Sequence, residues 1–477
     1  MPAGTITILG NVELFCGDKQ ADLRRQLRKA LALMVAARGR RVRRQEIAAA
    51  VWGDEERDVR TLMWSLRRAL RDCDSGFDVP PDKGKDGNYL LDVAEPGTLE
   101  EAVDAFRLQD QAGGLPPAAA SEVLNECRWA LYDYDPPAKT IRLSERLERE
   151  SLLARSPYFQ SEALMTLAID QLRLGQVTDA RSTLLAHERT RPANHASQWL
   201  QLTMETVLDL WHGRFDAAEA RLFTVAAPIV ARAHAEQARV ADTLQQTWQG
   251  QVFWLRREQG QVLSQTDPEV FRQVEGHAFF AIWRVGLALA SYDAGDLPGA
   301  AGHVRALDED YQGFDAFPPH GWTVSVAALL AELCLAMSPA GRPSAAGDPP
   351  GGLPPGIAGR LRVILSRYAG EFVLAGWPSV LLGPAERFSG LLATATGDYE
   401  EALHLFDAVA DKVAGAPPQA ARLQVNRARA LILLARSRGG QAGPAAAARL
   451  LTGAGATADR LGMRALAREA SELLSEC

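Results

Sequence analysis

Arg60, Arg67, Arg68 and Arg71 stand along the stretch RTLMWSLRRALR, with Trp64 among them and Arg57 just ahead. Arg38, Arg40, Arg41, Arg43 and Arg44 crowd a second short stretch, and Lys83 and Lys85 flank Gly84 in a third. Guanidinium forks pair bidentately with phosphates and guanine edges, and ammonium groups bind phosphates as point charges, so the chemistry on offer is polyanion binding. Between Leu23 and Arg71, fourteen Lys/Arg face five Asp/Glu, a surplus of nine. Residues 1–93 carry seventeen against fourteen, or +3; with a net charge of −7 for the chain, the remainder holds −10. A small basic region therefore precedes a large acidic body. A solvated Arg-rich face would give the same charge count, so the decision rests on where the elements put these side chains.

Those elements can be read from periodicity. TITILGNVELFCGDKQADL alternates apolar and polar residues around Gly10 and Gly17, as two or three short strands would. RRQLRKALALMVAARG has Leu27, Leu31, Met34 and Val35 at helical spacing and stops at Gly39. RRQEIAAAVW follows as a second helix, Ile47 and Val51 inward, with Gly53 as its stop and Asp54 to Asp58 as an acidic turn. A third helix, about 57–72, places Val59, Met63, Leu66 and Leu70 on one narrow stripe. A second stripe holds Arg60, Trp64, Arg67 and Arg71, and a third holds Arg57, Thr61, Ser65 and Arg68. FDVPPDKGKDGNYLLDV then reads as a β-hairpin.

Strands, three helices with a short turn before the last, and a hairpin are the order of a winged helix-turn-helix. The run GRRVRRQEIAAAVWG, then Arg57, Val59, Met63 and LRRAL, then GNYLLDV, resembles the OmpR-type winged helix of the Streptomyces antibiotic regulatory proteins over about the first 95 residues. That resemblance implies double-stranded DNA as partner, direct repeats upstream of biosynthetic genes as sites, and recruitment of RNA polymerase. Helix 57–72 would enter a major groove, Lys83 and Lys85 in the wing would reach neighbouring phosphates, and Arg38 to Arg44 would clamp the backbone. Leu62 and Trp64-Ser65 depart from the family pattern, which carries polar or basic residues there. Phosphate binding is accordingly better supported than base reading.

From Thr98 onward every segment reads as helix. Gly175-Gln-Val177-x-x-Ala180, Gly213-Arg-Phe215-x-x-Ala218, Gly295-Asp-Leu297-x-x-Ala300 and Gly397-Asp-Tyr399-x-x-Ala402 share one phrase. Glycine makes a turn, the large apolar residue anchors the next helix, and alanine lets two helices approach, in the manner of tetratricopeptide (TPR) pairs. The first two are 38 residues apart, near the ~34 of that repeat, and later gaps are longer. Chance recurrence in a non-repeating bundle is the plainer alternative. SPAGRPSAAGDPPGGLPPGIAG, Ser338 to Gly359, reads as a Pro/Gly-rich insertion dividing two blocks. Val103-Asp104-Ala-Phe106 resembles the start of the bacterial transcriptional activator domain, and ATADRLGMRALAREASELL resembles the end of the repeats in large ATPase-linked regulators.

Enzyme signals are missing. The chain has no GxxxxGK[ST], GxSxG or HExxH, and Gly84-Lys85 is followed by Asp86. Gly453-Ala-Gly455-Ala-Thr-Ala458 imitates a dinucleotide loop without the strand such a loop follows. The five cysteines are scattered, and the eight histidines keep no ligand spacing. No run is apolar enough to span a membrane and no signal peptide opens the chain, which predicts a cytoplasmic protein. The expected fold is mainly α: a winged helix-turn-helix at 1–95, activator-like and TPR-like helices at 96–336, the insertion at 337–359, and further repeats at 360–477. The expected function is transcriptional regulation without catalysis, cofactor or metal, the helical body serving homodimerisation, polymerase contact or effector sensing. The rival expectation is a TPR scaffold or peptide-binding sensor whose winged helix docks proteins.

Overall fold

The computed structural model is mainly helical. It describes residues 5–7, 13–16, 19–21, 25–36, 42–52, 59–72, 77–78, 88–89, 92–93, 116–192, 195–235, 241–261, 281–315, 317–338, 340, 352–376, 378–439 and 442–477. The chain divides into two compact units, Met1–Tyr134 with Ala306–Pro319, and Asp135–Arg305 with His320–Cys477.

The first unit opens with an antiparallel meander of β1 (Thr5–Thr7), β2 (Glu13–Cys16) and β3 (Lys19–Ala21). Helix α1 (Arg25–Ala36), strand β4 (Val42–Arg43), α2 (Arg44–Trp52) and α3 (Arg60–Asp72) follow, then β5 (Phe77–Asp78), β6 (Asn88–Tyr89) and β7 (Asp92–Val93). β5 pairs antiparallel with β7, and β6 pairs antiparallel with β4. The core joins Leu31 and Met34 of α1, Val42 of β4, Ile47 and Val51 of α2, Val59 just before α3, and Leu62, Met63, Leu66 and Leu70 of α3, capped by Tyr89. Lys29 Nζ donates to the Val51 carbonyl at the end of α2, satisfying a group the helix leaves open. Helix α4 (Pro117–Ala130) adds Arg128, wholly buried, with its guanidinium 5.7 Å from the ring centroids of both Trp129 and Tyr132. Gly39, Gly53, the acidic turn and the Val103–Phe106 motif lie outside the described residues.

In the second unit, α5 (Pro137–Leu153), α6 (Pro157–Arg173), α7 (Val177–Thr190), α8 (His195–Trp211) and α9 (Phe215–Ala220) each pack on the next. A π-helical turn, Arg221–Ala226, leads from α9 into α10 (Ala227–Ala235). The Leu222 carbonyl in that turn accepts a bond from Trp248 Nε1 on α11 (Ala241–Glu258). Then come α12 (Ala281–Asp293), α13 (Leu297–Asp310, counted with this unit as far as Arg305), α14 (Trp322–Met337), α15 (Ile357–Ser366), β8 (Phe372–Ala375), β9 (Val380–Pro384), α16 (Ala385–Ala395), α17 (Tyr399–Ala408), α18 (Pro417–Arg438), α19 (Ala442–Leu461) and α20 (Arg464–Ser475).

The recurring phrase does what its residue types require. Helices α7, α9, α13 and α17 begin at Val177, Phe215, Leu297 and Tyr399, and Ala180, Ala218, Ala300 and Ala402 are wholly buried. Gly175, Gly213, Gly295 and Gly397 have φ of 74°, 72°, 79° and 87°, and the residue after each donates to a carbonyl five residues back, the Schellman closure. Gly260 and Gly462 make the same closure without the phrase.

One expectation is corrected. The region after Thr98 is not wholly helical: β8 and β9 form an antiparallel hairpin, every residue of both strands buried. Met337 closes α14 and Ile357 opens α15, and those two helices pack together. β8 touches α6 and α14, and β9 touches α8 and α16. Gln251 Nε2 of α11 donates to the carbonyls of Thr203 on α8 and Ser379 in the hairpin turn, and Ser325 Oγ of α14 donates to Leu374. Late helices also reach early ones: α18 packs on α8, α20 on α11, and Arg422 pairs with Glu258.

Candidate nucleic-acid interface

Helix α3 is fixed by a five-residue interior face, Val59, Leu62, Met63, Leu66 and Leu70, none more than 7% exposed. At about 100° per residue these span an arc of about 100°. Arg60, Thr61, Trp64 and Arg68 occupy the opposite arc and are exposed. Helical spacing puts the Arg71 position on that arc too; its side chain lies outside the described residues. No acidic residue precedes Asp72 on this helix.

Trp64 is 55% exposed, the only large apolar side chain of α3 outside the core. The Arg68 guanidinium, one turn on, sits 5.7 Å from its ring centroid, an intrahelical cation–π pair. Arg67 turns the other way. Its guanidinium stands 5.6 Å from the ring of Tyr89, which is nearly buried on β6, so Arg67 ties α3 to the strand paired with β4.

Several expected roles change accordingly. Arg68, rather than Arg67, shares the outward face with Arg60 and Trp64, because the two stripes read from spacing merge once the interior face is five residues wide. Leu62 belongs to that interior face and is withdrawn from any groove. Ser65 Oγ donates to the Thr61 carbonyl, satisfying its hydroxyl within the helix. Arg43 is committed to Glu46. Its Nε and Nη2 donate to Glu46 Oε1 at 3.0 and 2.8 Å, and its backbone N–H donates to Oε2 at 3.0 Å. Glu46 is the third residue of α2, so this is the return half of a capping box, favoured by the helix dipole. Arg44 is half-buried at the first position of α2. Arg38, Arg40, Arg41, Arg57, Lys83 and Lys85 lie outside the described residues.

The second unit holds one arrangement that the sequence did not disclose. Ser161 Oγ lies 2.8 Å from His187 Nε2, and His187 Nδ1 lies 2.7 Å from Gln201 Oε1. Gln201 Nε2 donates to Glu205 Oε1, which leaves Oε1 as acceptor; His187 therefore carries its proton on Nδ1 and accepts from the serine. Burial pulls the His187 pKa down, keeping the ring neutral. The geometry is that of an activated serine, yet Ser161 and His187 are 1% and 0% exposed. A nucleophile needs access, so these groups serve to pin α6, α7 and α8 together.

Gly453 to Ala458 lie inside α19, which leaves no loop to cradle a phosphate. Among the described residues, no group of three or more His, Cys, Asp or Glu could hold a metal ion, and no helix is long and apolar enough to cross a membrane. Comparison with known proteins returns no match, neither to a family model nor to a curated sequence.

Proposed function

We propose that residues 1–95 form a winged helix-turn-helix that binds double-stranded DNA, and that the chain is a transcriptional regulator rather than an enzyme. One observation carries the reading: α3 is buried along one face and presents Arg60, Trp64 and Arg68 on the other. Inserted into a major groove, such a helix offers guanidinium groups to phosphates and guanine edges while its apolar face holds it to the domain. In this reading the paired strands β5 and β7 would belong to the wing. The helical body then serves dimerisation or contact with RNA polymerase.

The test is selection of duplex DNA by the full-length chain at near-physiological salt with competitor DNA, followed by affinity measurements on Arg60→Ala/Arg68→Ala. Loss of two phosphate contacts is expected to weaken binding at least tenfold and to flatten the slope of log affinity against log salt by about 1.8. Thermal unfolding should stay unchanged, since both side chains are exposed. A folded double variant with wild-type affinity would refute the docking.

The exposed indole of Trp64 also suits a protein-docking role for the same face, with the helical body as scaffold. In that case the chain would retain no DNA at any salt concentration.

A further inference from the structure

Base pairs expose one apolar group in the major groove, the C5-methyl of thymine; the remaining edges are hydrogen-bond donors and acceptors. Helix α3 exposes one large apolar side chain, Trp64, while Leu62, Met63, Leu66 and Leu70 all point inward. The indole carries a single N–H donor and no acceptor, so it cannot form the bidentate pairs by which Arg, Asn or Gln distinguish bases. It can, however, cover a methyl group.

Its position favours this. Trp64 lies midway between Arg60 and Arg68, one turn from each, so the three residues span about 12 Å along the helix axis. That length matches three to four base pairs at 3.4 Å each. The Arg68 guanidinium stands 5.7 Å from the ring centroid, so the indole and a cation share one patch of the helix surface. Other groups on the helix are engaged elsewhere: Ser65 bonds the backbone, and Arg67 stacks toward Tyr89.

We infer that Trp64 reads sequence by apolar contact with the C5-methyl of thymine, so that the preferred duplex carries thymine at one fixed position between the contacts of Arg60 and Arg68. This rests on the DNA-binding reading above. Arg60 and Arg68 supply affinity, and Trp64 supplies discrimination.

The experiment uses the full-length chain and a duplex selected from a random-sequence library. The duplex is resynthesised with uracil replacing thymine at one position at a time, which deletes a methyl group and nothing else. One position is expected at which uracil weakens binding about fourfold, the worth of one buried methyl. Trp64→Ala should bind thymine and uracil duplexes equally at that position, Trp64→Phe should keep part of the preference, and Arg60→Ala should weaken binding to every duplex alike. Circular dichroism confirms that each variant is folded. If the wild-type chain binds the selected duplex and no uracil substitution matters, the thymine contact is overturned while DNA binding stands. If the chain retains no duplex, both readings fall together.

Discussion

Glu332 offers a quantitative test of how the second unit holds together. It lies on α14 between two guanidinium groups: Arg257 Nη1 of α11 donates to Oε2 at 2.9 Å, and Arg387 Nη2 of α16 donates to Oε1 at 3.1 Å. All three side chains are largely buried. Burial pushes the Glu332 carboxyl up, but Arg257, Arg387 and Arg422 outweigh it and hold the pKa at about 2. A fall from 4.5 to about 2, at 1.36 kcal/mol per unit, corresponds to about 3 kcal/mol of stability. Glu332→Gln forfeits this and leaves two cations facing each other out of water, at the lower end of the ~3–5 kcal/mol typical of a broken buried pair. Because the folded pKa is depressed, the contribution is complete above pH 4.5 and disappears as pH falls toward 2. Urea unfolding of wild type and variant should therefore differ by about 3 kcal/mol at pH 7, the gap closing on acidification. A gap under about 1 kcal/mol at pH 7, or one insensitive to pH, would show that the network gains nothing from this charge.

Two other substitutions probe the helical body. Ala402→Leu forces three extra carbons into the wholly buried contact between α16 and α17, and a loss of about 1–3 kcal/mol is expected in thermal unfolding with little change in helical content. For His320, burial and then Arg173 lower the pKa to about 4. Its ring packs edge-on against Tyr368, centroids 5.6 Å apart. Between pH 6.5 and about 4 the unfolded chain takes up a proton that the folded chain refuses, so stability falls as pH drops through this window. His320→Phe should remove that part of the acid sensitivity, which parallel melts at pH 7 and pH 5 would reveal.

The four repeat turns were legible because each depends on local chemistry: a glycine with positive φ, an apolar anchor, a small residue. The stripe of α3 was legible too, to within a quarter-turn. Its finer assignment failed at Arg67, whose partner Tyr89 arrives 22 residues later on a two-residue strand that spacing cannot connect to the helix. The hairpin 372–384 escaped because FVLA and VLLGP are buried on both faces, so no polar residue alternates to mark a strand. Ser161, His187 and Gln201 come from three helices and obey no motif; the only hint was polar residues interrupting apolar faces. The Arg43–Glu46 pair could have been read from its spacing, since a carboxylate at the third helical position commonly turns back on the residue before the helix.

The β8–β9 hairpin also changes how this helical body holds together. In an ordinary array each repeat touches only its neighbours, so ends can fray and units can be gained or lost with little effect elsewhere. Here one strand rests on α6 and α14 and the other on α8 and α16, bridging segments far apart in the chain, and α18 and α20 return to α8 and α11. Loosening any repeat therefore loosens a distant one. The body should melt in a single cooperative transition and fold slowly for its helical content, since contacts between remote segments demand costly loop closure before they repay it. Insertion of a further helix pair would pull the hairpin out of register with half of its partners.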